Sequence, residues 1–322
     1  MFEHEIKFYC PHAAMQAINE HILASPSAQT VPLRALYFDT RDAQLAQQKI
    51  AIRLRLEPEG WMQTLKMPSQ HDFSRLELNH RRPEPSVDLS VYEQDEVVRA
   101  LQTIDSEALQ VVYETDVQRC KYLHKLPDAT IEIAFDQGEI KAADTHLAVC
   151  EVEFELLDGA MQSLYKISQE WAQRHELLLD LRSKAHRGHE LASFAAKHTV
   201  HTIYNCEEFW QVPSSATAND HFSQLINTCC TQLVMVAELL DNYPQASFIE
   251  PMWQQATASL QHLLDRLTSE TDLNPDTQAK AQQVQTILNC LQADACAPSV
   301  QLVQLEDSPL QALFLDILAA QA

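Results

Sequence analysis

The sequence predicts an α+β fold: an antiparallel closed β-barrel with flanking helices, followed by a small all-α helical bundle. Three observations point to it. Residues 1–199 alternate apolar and charged side chains with period two over many short stretches, the pattern of strands with two unlike faces. All four glycines (Gly60, Gly138, Gly159, Gly188) fall in that part, whereas residues 200–322 are rich in Ala, Gln and Leu and repeat apolar positions at helical spacing. The charge balance shifts at the same place. The first part holds 31 acids and 21 bases, a net of −10; the second holds 14 acids and two bases, Arg266 and Lys280, a net of −12. A boundary is therefore expected near 198–202, between a barrel domain over 1–199 and a bundle over 200–322. No flexible linker separates them, so the two should touch.

In chain order, period-two runs predict strands near 3–9, 34–39, 50–57, 61–66, 75–80, 111–123, 130–135, 139–142 and 148–157. Helical spacing predicts helices over 11–24, 92–102 and 161–176. In the last, Leu164, Ile167, Ser168 and Trp171 share a face, and Asp158-Gly159 supplies the turn before it. Many antiparallel strands with few helices suggest a barrel or a strongly curved sheet. In the second part, helices are expected over 219–242, 250–269, 277–293 and 308–320. Pro244, Pro251, Pro275 and Pro298 fall where one helix should stop and the next begin, as in a small bundle.

The charges carry the functional reading. Glu3, Glu5 and Lys7 share one face of the first strand, as do Arg53, Arg55 and Glu57 on another. Arg75, Glu77 and Asn79 form a third such set, Arg119 and Lys121 a fourth, and Glu132, Ala134 and Asp136 a fifth. Glu151, Glu153 and Glu155 form a sixth; Lys66 ends its strand, and Arg182 and Lys184 make one more alternating pair. A solvated sheet face would mix signs so that neighbours attract. Here like charges run together, three glutamates over 151–155 and two arginines over 53–55, which is unfavourable without a counter-ion. A closed barrel with its charged face inward resolves this: acids on one wall bind divalent cations, and bases on the other bind a small polyanion. Each base within about 4 Å of an anionic oxygen contributes roughly 4 kcal/mol at an effective dielectric of 20, enough in sum to offset desolvation.

Composition excludes other classes. A net charge of −22 disfavours broad contact with nucleic acid or an anionic membrane, so any polyanion site must be local. No apolar run of about 18 residues could span a bilayer. The N-terminal Met-Phe-Glu-His-Glu is acidic where a signal peptide would be basic. The eight cysteines show no C-x-x-C spacing, and reduced thiols in the cytoplasm are expected.

These residues resemble the CYTH superfamily, the triphosphate tunnel metalloenzymes. Glu3-x-Glu5-x-Lys7 matches its E-x-E-x-K signature. Tyr37-Phe38-Asp39-Thr40, Ile52-Arg53-Leu54-Arg55 and Trp61-x-Gln63-Thr64-Leu65-Lys66 are similar to its next strands. Glu132 to Ile140, Glu151-Val152-Glu153-Phe154-Glu155 and Ser183-Lys184-Ala185-His186-Arg187-Gly188 follow in family order. The likeness covers roughly residues 1–190. His4 and Asn79 depart from the pattern, Asn79 standing where a second acid is common. The trailing helices resemble a short, degenerate CHAD-type domain. That domain type is usually basic; this one has two bases in 123 residues, so polyphosphate binding is not assigned to it.

The resemblance implies metal-dependent hydrolysis of inorganic triphosphate to pyrophosphate and phosphate. It places Mg²⁺ or Mn²⁺ on Glu3, Glu5, Glu151 and Glu153, with Glu77 completing a second position. Glu3 or Glu5 would orient the attacking water. Lys7, Arg53, Arg55, Lys66, Arg75 and Arg119 would hold phosphate oxygens, and Lys184 would stabilise charge at the terminal phosphate. Glu132, Asp136 and Glu155 are as suited to anchoring bases as to direct contact, and Lys121, Arg182 and Arg187 read as surface or structural residues. Thiamine triphosphate, RNA 5′-triphosphate and ATP cyclised to cAMP are alternative substrates of such a tunnel, and a non-catalytic polyphosphate-binding module is a different class. A small-molecule triphosphate is the expected partner, with no nucleic acid and no membrane, and the bundle is expected to serve self-association or a protein contact.

Overall fold

A computed structural model of the chain describes residues 2–57, 59–68, 74–198, 203–211, 222–270, 273–293, 297–306 and 309–321. It opens with β1 (Phe2–Tyr9), α1 (Met15–Leu23), β2 (Gln29–Asp39), the one-turn α2 (Gln44–Gln47), β3 (Ala51–Glu57), β4 (Gly60–Pro68) and β5 (Ser74–Arg82). After α3 (Asp95–Leu101) come the long strands β6 (Gln110–Lys125), β7 (Ala129–Ala142) and β8 (Thr145–Gly159). Then follow α4 (Met161–His175), the two-residue β9 (Leu178–Leu179) and α5 (Lys184–Ala195). The remaining described chain is helical: α6 (Phe222–Asn242), α7 (Ile249–Ser269), α8 (Pro275–Ala293), α9 (Pro298–Glu306) and α10 (Leu310–Gln321), after two short 3-10 turns at 203–210.

The strands run β5-β4-β3-β2-β6-β7-β8-β1, every neighbour antiparallel, and β5 pairs back to β1 with Arg75 opposite Glu3. The first eight strands therefore close on themselves, which removes the sheet edge; β9 adds a short rung beside β1. Small barrels usually fill their interior with apolar side chains. This one is inverted. Ile6, Phe8, Ile52, Ile133, Val152 and Phe154 are fully buried on the outer face, and the charged residues that alternate with them point in.

Helices cover that apolar exterior. One continuous core joins the barrel to α1, α4 and the later helices, with Phe8, Phe154, Trp171, Leu233, Leu264 and Phe314 among its members. A smaller core around Ile52, Leu65, Tyr92 and Val97 covers β3–β5 beneath α3. In α4, Leu164, Ile167, Ser168 and Trp171 are all buried, as their spacing predicts. Polar contacts join barrel and later helices as well: the Tyr9 hydroxyl donates to Asp241 at 2.5 Å, and the Leu179 N–H to Gln311 at 2.8 Å.

Several elements differ from expectation for local reasons. The stretches 130–135 and 139–142 are one strand, β7, unbroken at Gly138. A Cβ there would lie 2.2 Å from the Asp116 carbonyl oxygen, so this glycine permits a close approach of β6. β2 begins at Gln29 although it includes Pro32, because over 29–34 it has only β6 as a neighbour, an edge position where proline is tolerated. Pro275 and Pro298 start α8 and α9, the first helical position where the missing N–H costs nothing. Residues 199–202 of the expected boundary, 219–221 and 308 lie outside the described residues. Among the described residues, no helix is long and apolar enough to cross a membrane, and the seven cysteines are free.

A histidine pair between α1 and α4 makes stability pH-dependent. His21 stacks on Trp171 with ring centroids 4.4 Å apart, and its Nδ1 lies 3.4 Å from His175 Nε2. Burial, aided by His21 and Arg174, brings the His175 pKa down to about 4 from 6.5. The folded state then binds fewer protons than the unfolded chain, so stability is intact above pH 6.5 and is lost as the pH falls toward 4. Thermal scans should show a cost of roughly 1–2 kcal/mol at pH 5, and His175→Gln should flatten that slope.

Candidate active site

Strand register assembles the site. Glu5 stands opposite Glu155, and Lys7 opposite Glu153. Lys66 faces Glu77, Arg119 faces Asp136, and Glu132 faces Glu155. Opposed residues share a face, so these charges converge on a cavity of about 900 Å³ inside the barrel. Glu3, Glu5, Lys7, Arg53, Arg55, Lys66, Arg75, Glu77, Arg119, Glu153 and Lys184 all line it. Of the residues expected to bind metal or phosphate, Glu151 alone is absent from that lining: it is 1% exposed, behind Lys184.

Two groups of carboxylates each enclose an ammonium. Lys66 Nζ lies 2.6 Å from Glu3 and 2.9 Å from Glu77. Lys184 Nζ lies 2.7 Å from both Asp136 and Glu153 and also contacts Glu151. Arg119 grips Asp136 through two nitrogens at 2.7 and 2.6 Å and reaches Glu153. Burial would raise the Glu77 carboxyl, but Lys66 and Asn79 outweigh it and bring the pKa to about 2. Between the two groups, Glu5 and Glu155 have no hydrogen bond or ion pair among the described residues. Burial first, then Glu153 and Glu3, pushes Glu5 up to about 7; burial, then Glu5 and Glu132, does the same for Glu155.

That arrangement fits a divalent cation. Glu3, Glu5, Glu77, Glu153 and Glu155 offer hard oxygen donors toward one cavity, and the two raised pKa values report negative charge without a matching cation. The oxygens of Asp136, Glu151 and Glu153 also lie within 4.8 Å of one another, although Lys184 already stands among them. The opposite wall fits an anion. Arg53 Nε is buried with no hydrogen-bond partner among the described residues, a donor in reserve. Arg55 is held in place by Glu57, with contacts of 3.1 and 2.6 Å.

At the Lys7 end the structure adds residues that the sequence left out. Lys7 Nζ donates to the Arg182 carbonyl and lies 3.6 Å from Asp180; burial lowers its pKa although Asp180 and Glu151 oppose the shift. Asp180 and Arg182 pair at 3.0 Å, Arg187 contacts Glu151, and Lys121 lines the cavity and pairs with Glu132 at 2.8 Å. Arg182 and Arg187 are thus buried members of the charge network, not surface residues. The available signal was Asp180-Leu-Arg182-Ser-Lys184, alternating charges directly after the apolar run 177–179.

Arg182 and Lys184 do not share a strand. Ser183 between them caps α5, accepting a hydrogen bond from the His186 N–H at 3.1 Å, which makes Lys184 the first helical residue. Gly188 then lets α5 cross the barrel end: a Cβ there would lie 2.2 Å from the Tyr113 ring. Gly188→Ala should push α5 away from β6 and cost about 1–3 kcal/mol in chemical denaturation, with a loss of whatever turnover depends on Lys184.

The CYTH domain family matches residues 1–189, more than half of the sequence. The chain belongs to the CYTH domain family. An inorganic triphosphatase of Haemophilus influenzae is 33% identical to this CYTH protein over 170 residues, 51% of this chain and 47% of that one. The chain therefore spans about half the length of that curated relative. Among solved structures, HpAC1 of Hippeastrum, described as revealing a dominant triphosphatase activity, is 18% identical with a TM-score of 0.42, over 60% of this chain and 96% of its own. The PH1819 protein of Pyrococcus horikoshii is 14% identical with a TM-score of 0.35, over 61% of this chain and 99% of its own.

Proposed function

We propose that this CYTH protein hydrolyses inorganic triphosphate to pyrophosphate and phosphate, with Mg²⁺ or Mn²⁺ bound at its tunnel carboxylates. The observation that carries the reading is the pairing, in a single cavity inside the closed barrel, of a base-lined wall with carboxylates that lack a matching cation. The Haemophilus relative supports the choice of substrate.

Arg53, Arg55, Lys66, Arg75 and Arg119 bind the phosphate oxygens, the arginines through paired donors. A divalent cation held by Glu3, Glu5, Glu77, Glu153 and Glu155 would neutralise phosphate charge and make water more acidic. Glu151 has a different part in this reading from the metal ligation expected of it: it is buried outside the cavity lining, and its oxygens meet Lys184 and Arg187 and position them. Glu5 is the better base of the first pair: Lys66 engages Glu3, whereas Glu5 lines the cavity with no hydrogen bond or ion pair among the described residues. Glu5 takes the proton of the attacking water as its oxygen bonds to the terminal phosphorus. The bridging P–O bond breaks, its electron pair leaves with pyrophosphate, and Lys184 offsets charge at that end.

A phosphate-release panel over triphosphate, ATP and thiamine triphosphate, with Mg²⁺ and with Mn²⁺, tests this reading. Triphosphate should be favoured by at least about tenfold in kcat/KM, about 1.4 kcal/mol. Faster turnover of an organic triphosphate would replace the substrate, and binding without release would make the protein a non-catalytic module.

A further inference from the structure

One side of the cavity is not made by the CYTH part. Ser223, Gln224, Asn227 and Thr231 of α6 also line it. They recur at intervals of one to four residues, so they occupy a single helix face about 12 Å long. The opposite face packs into the core through Leu225, Ile226, Cys229 and Leu233. Gln224 and Asn227 are exposed, which places them at the cavity's mouth, beside the Asp180–Lys184 segment that lines the same cavity.

This lip is fixed rather than mobile. Glu238, further along α6 and 3% exposed, lies 3.3 Å from Arg182 and 3.9 Å from Arg187. Asp241, at the end of the same helix, accepts from the Tyr9 hydroxyl at 2.5 Å and the His12 N–H at 2.9 Å. These contacts and the shared core hold α6 against the barrel.

The lip also differs in chemistry from the walls. Its four side chains carry no charge, whereas the cavity walls carry the bases that would match phosphate. The sequence beyond residue 199 has a net charge of −12 and two bases. A phosphoryl group reaching the lip would exchange the bases of the walls for uncharged donors in a negative field, and Arg266, the α7 base beside this end of α6, is turned over the Phe222 ring, 5.2 Å from its centroid.

We propose that α6 restricts the tunnel to short linear phosphates, with Gln224 and Asn227 as the residues that set the selectivity for triphosphate over longer chains. The proposal rests on the triphosphatase reading for its substrate class, but its test separates the two. Full-length wild type, Gln224→Lys, Asn227→Lys and the double variant are compared on triphosphate, tetraphosphate and a longer linear polyphosphate. Gln254→Lys, which adds the same charge at an exposed position of α7 away from the cavity, is the control. The ratio of kcat/KM for tetraphosphate over triphosphate should rise about tenfold in the double variant, as expected for new ion pairs at a partly exposed site, and stay at the wild-type value in Gln254→Lys. Calorimetric binding of the same phosphates gives the ratio without turnover, so the lip is tested even if wild type releases no phosphate. An unchanged ratio in the lip variants, an equal rise in Gln254→Lys, or wild-type preference for the longer chain would overturn the proposal.

Discussion

Glu5→Gln should lower the rate of triphosphate hydrolysis by about 10²–10⁴-fold, the contribution typical of a positioned general base, while making the protein more stable. The two effects share one origin. Glu5 is half-buried beside Glu153 and Glu3 with no ion pair among the described residues, and its pKa is pushed up to about 7 from 4.5. A folded pKa above the unfolded value means that the folded state binds more protons between pH 4.5 and 7. Stability therefore falls as the pH rises through that window, and the full penalty remains above it. Glutamine has the same shape and no charge to desolvate, so the variant should melt above wild type at pH 8 without metal. Wild-type stability should recover on adding Mg²⁺, and the variant's should respond less. The same linkage sets the rate profile: its acid limb should lie near pH 7 at low metal and move to lower pH as metal rises.

Lys184→Ala should behave in the opposite way toward stability. Lys184 is the cation shared by Asp136, Glu151 and Glu153, and burial works against its charge while those three acids hold its pKa well above the ordinary value. Removing it leaves buried carboxylates with Arg119, Arg187 and Lys7 as their remaining partners among the described residues. Breaking a buried ion pair from one side typically costs about 3–5 kcal/mol. Turnover should fall about 10²–10³-fold, the usual loss when a group aimed at developing charge is removed. Denaturant unfolding and kcat on the same two variants then separate the roles. Glu5→Gln loses activity and gains stability, whereas Lys184→Ala loses both.

The barrel and most of the tunnel were legible because period two is a geometric fact about strands. Once Ile6 and Phe8 face the core, Glu3, Glu5 and Lys7 must face the other way. The same logic brought Arg53, Arg55, Lys66, Glu77 and Arg119 to the cavity from separate strands. What stayed hidden depends on contacts with no local periodicity. Arg182 and Arg187 sit on a turn and on α5, and their acidic partner Glu238 lies some fifty residues further on. Glu151 is indistinguishable in sequence from Glu153 and Glu155. Only α5, laid across the barrel end by Gly188, places Lys184 and Arg187 on Glu151. Gly138 read as a strand break because a glycine that permits close approach looks the same in sequence as one that permits a turn. The lip on α6 was invisible for a similar reason, since uncharged residues on an amphipathic helix carry no mark of what lies opposite.

The central claim is that this tunnel converts triphosphate through metal held by its carboxylates. The most direct test follows the phosphorus resonances of inorganic triphosphate incubated with full-length protein and Mg²⁺ or Mn²⁺, then again after thorough chelation. The account predicts that triphosphate disappears into equal amounts of phosphate and pyrophosphate, and that conversion stops when the metal is removed. Conversion that survives chelation, or triphosphate that binds with metal and is never cleaved, would contradict it.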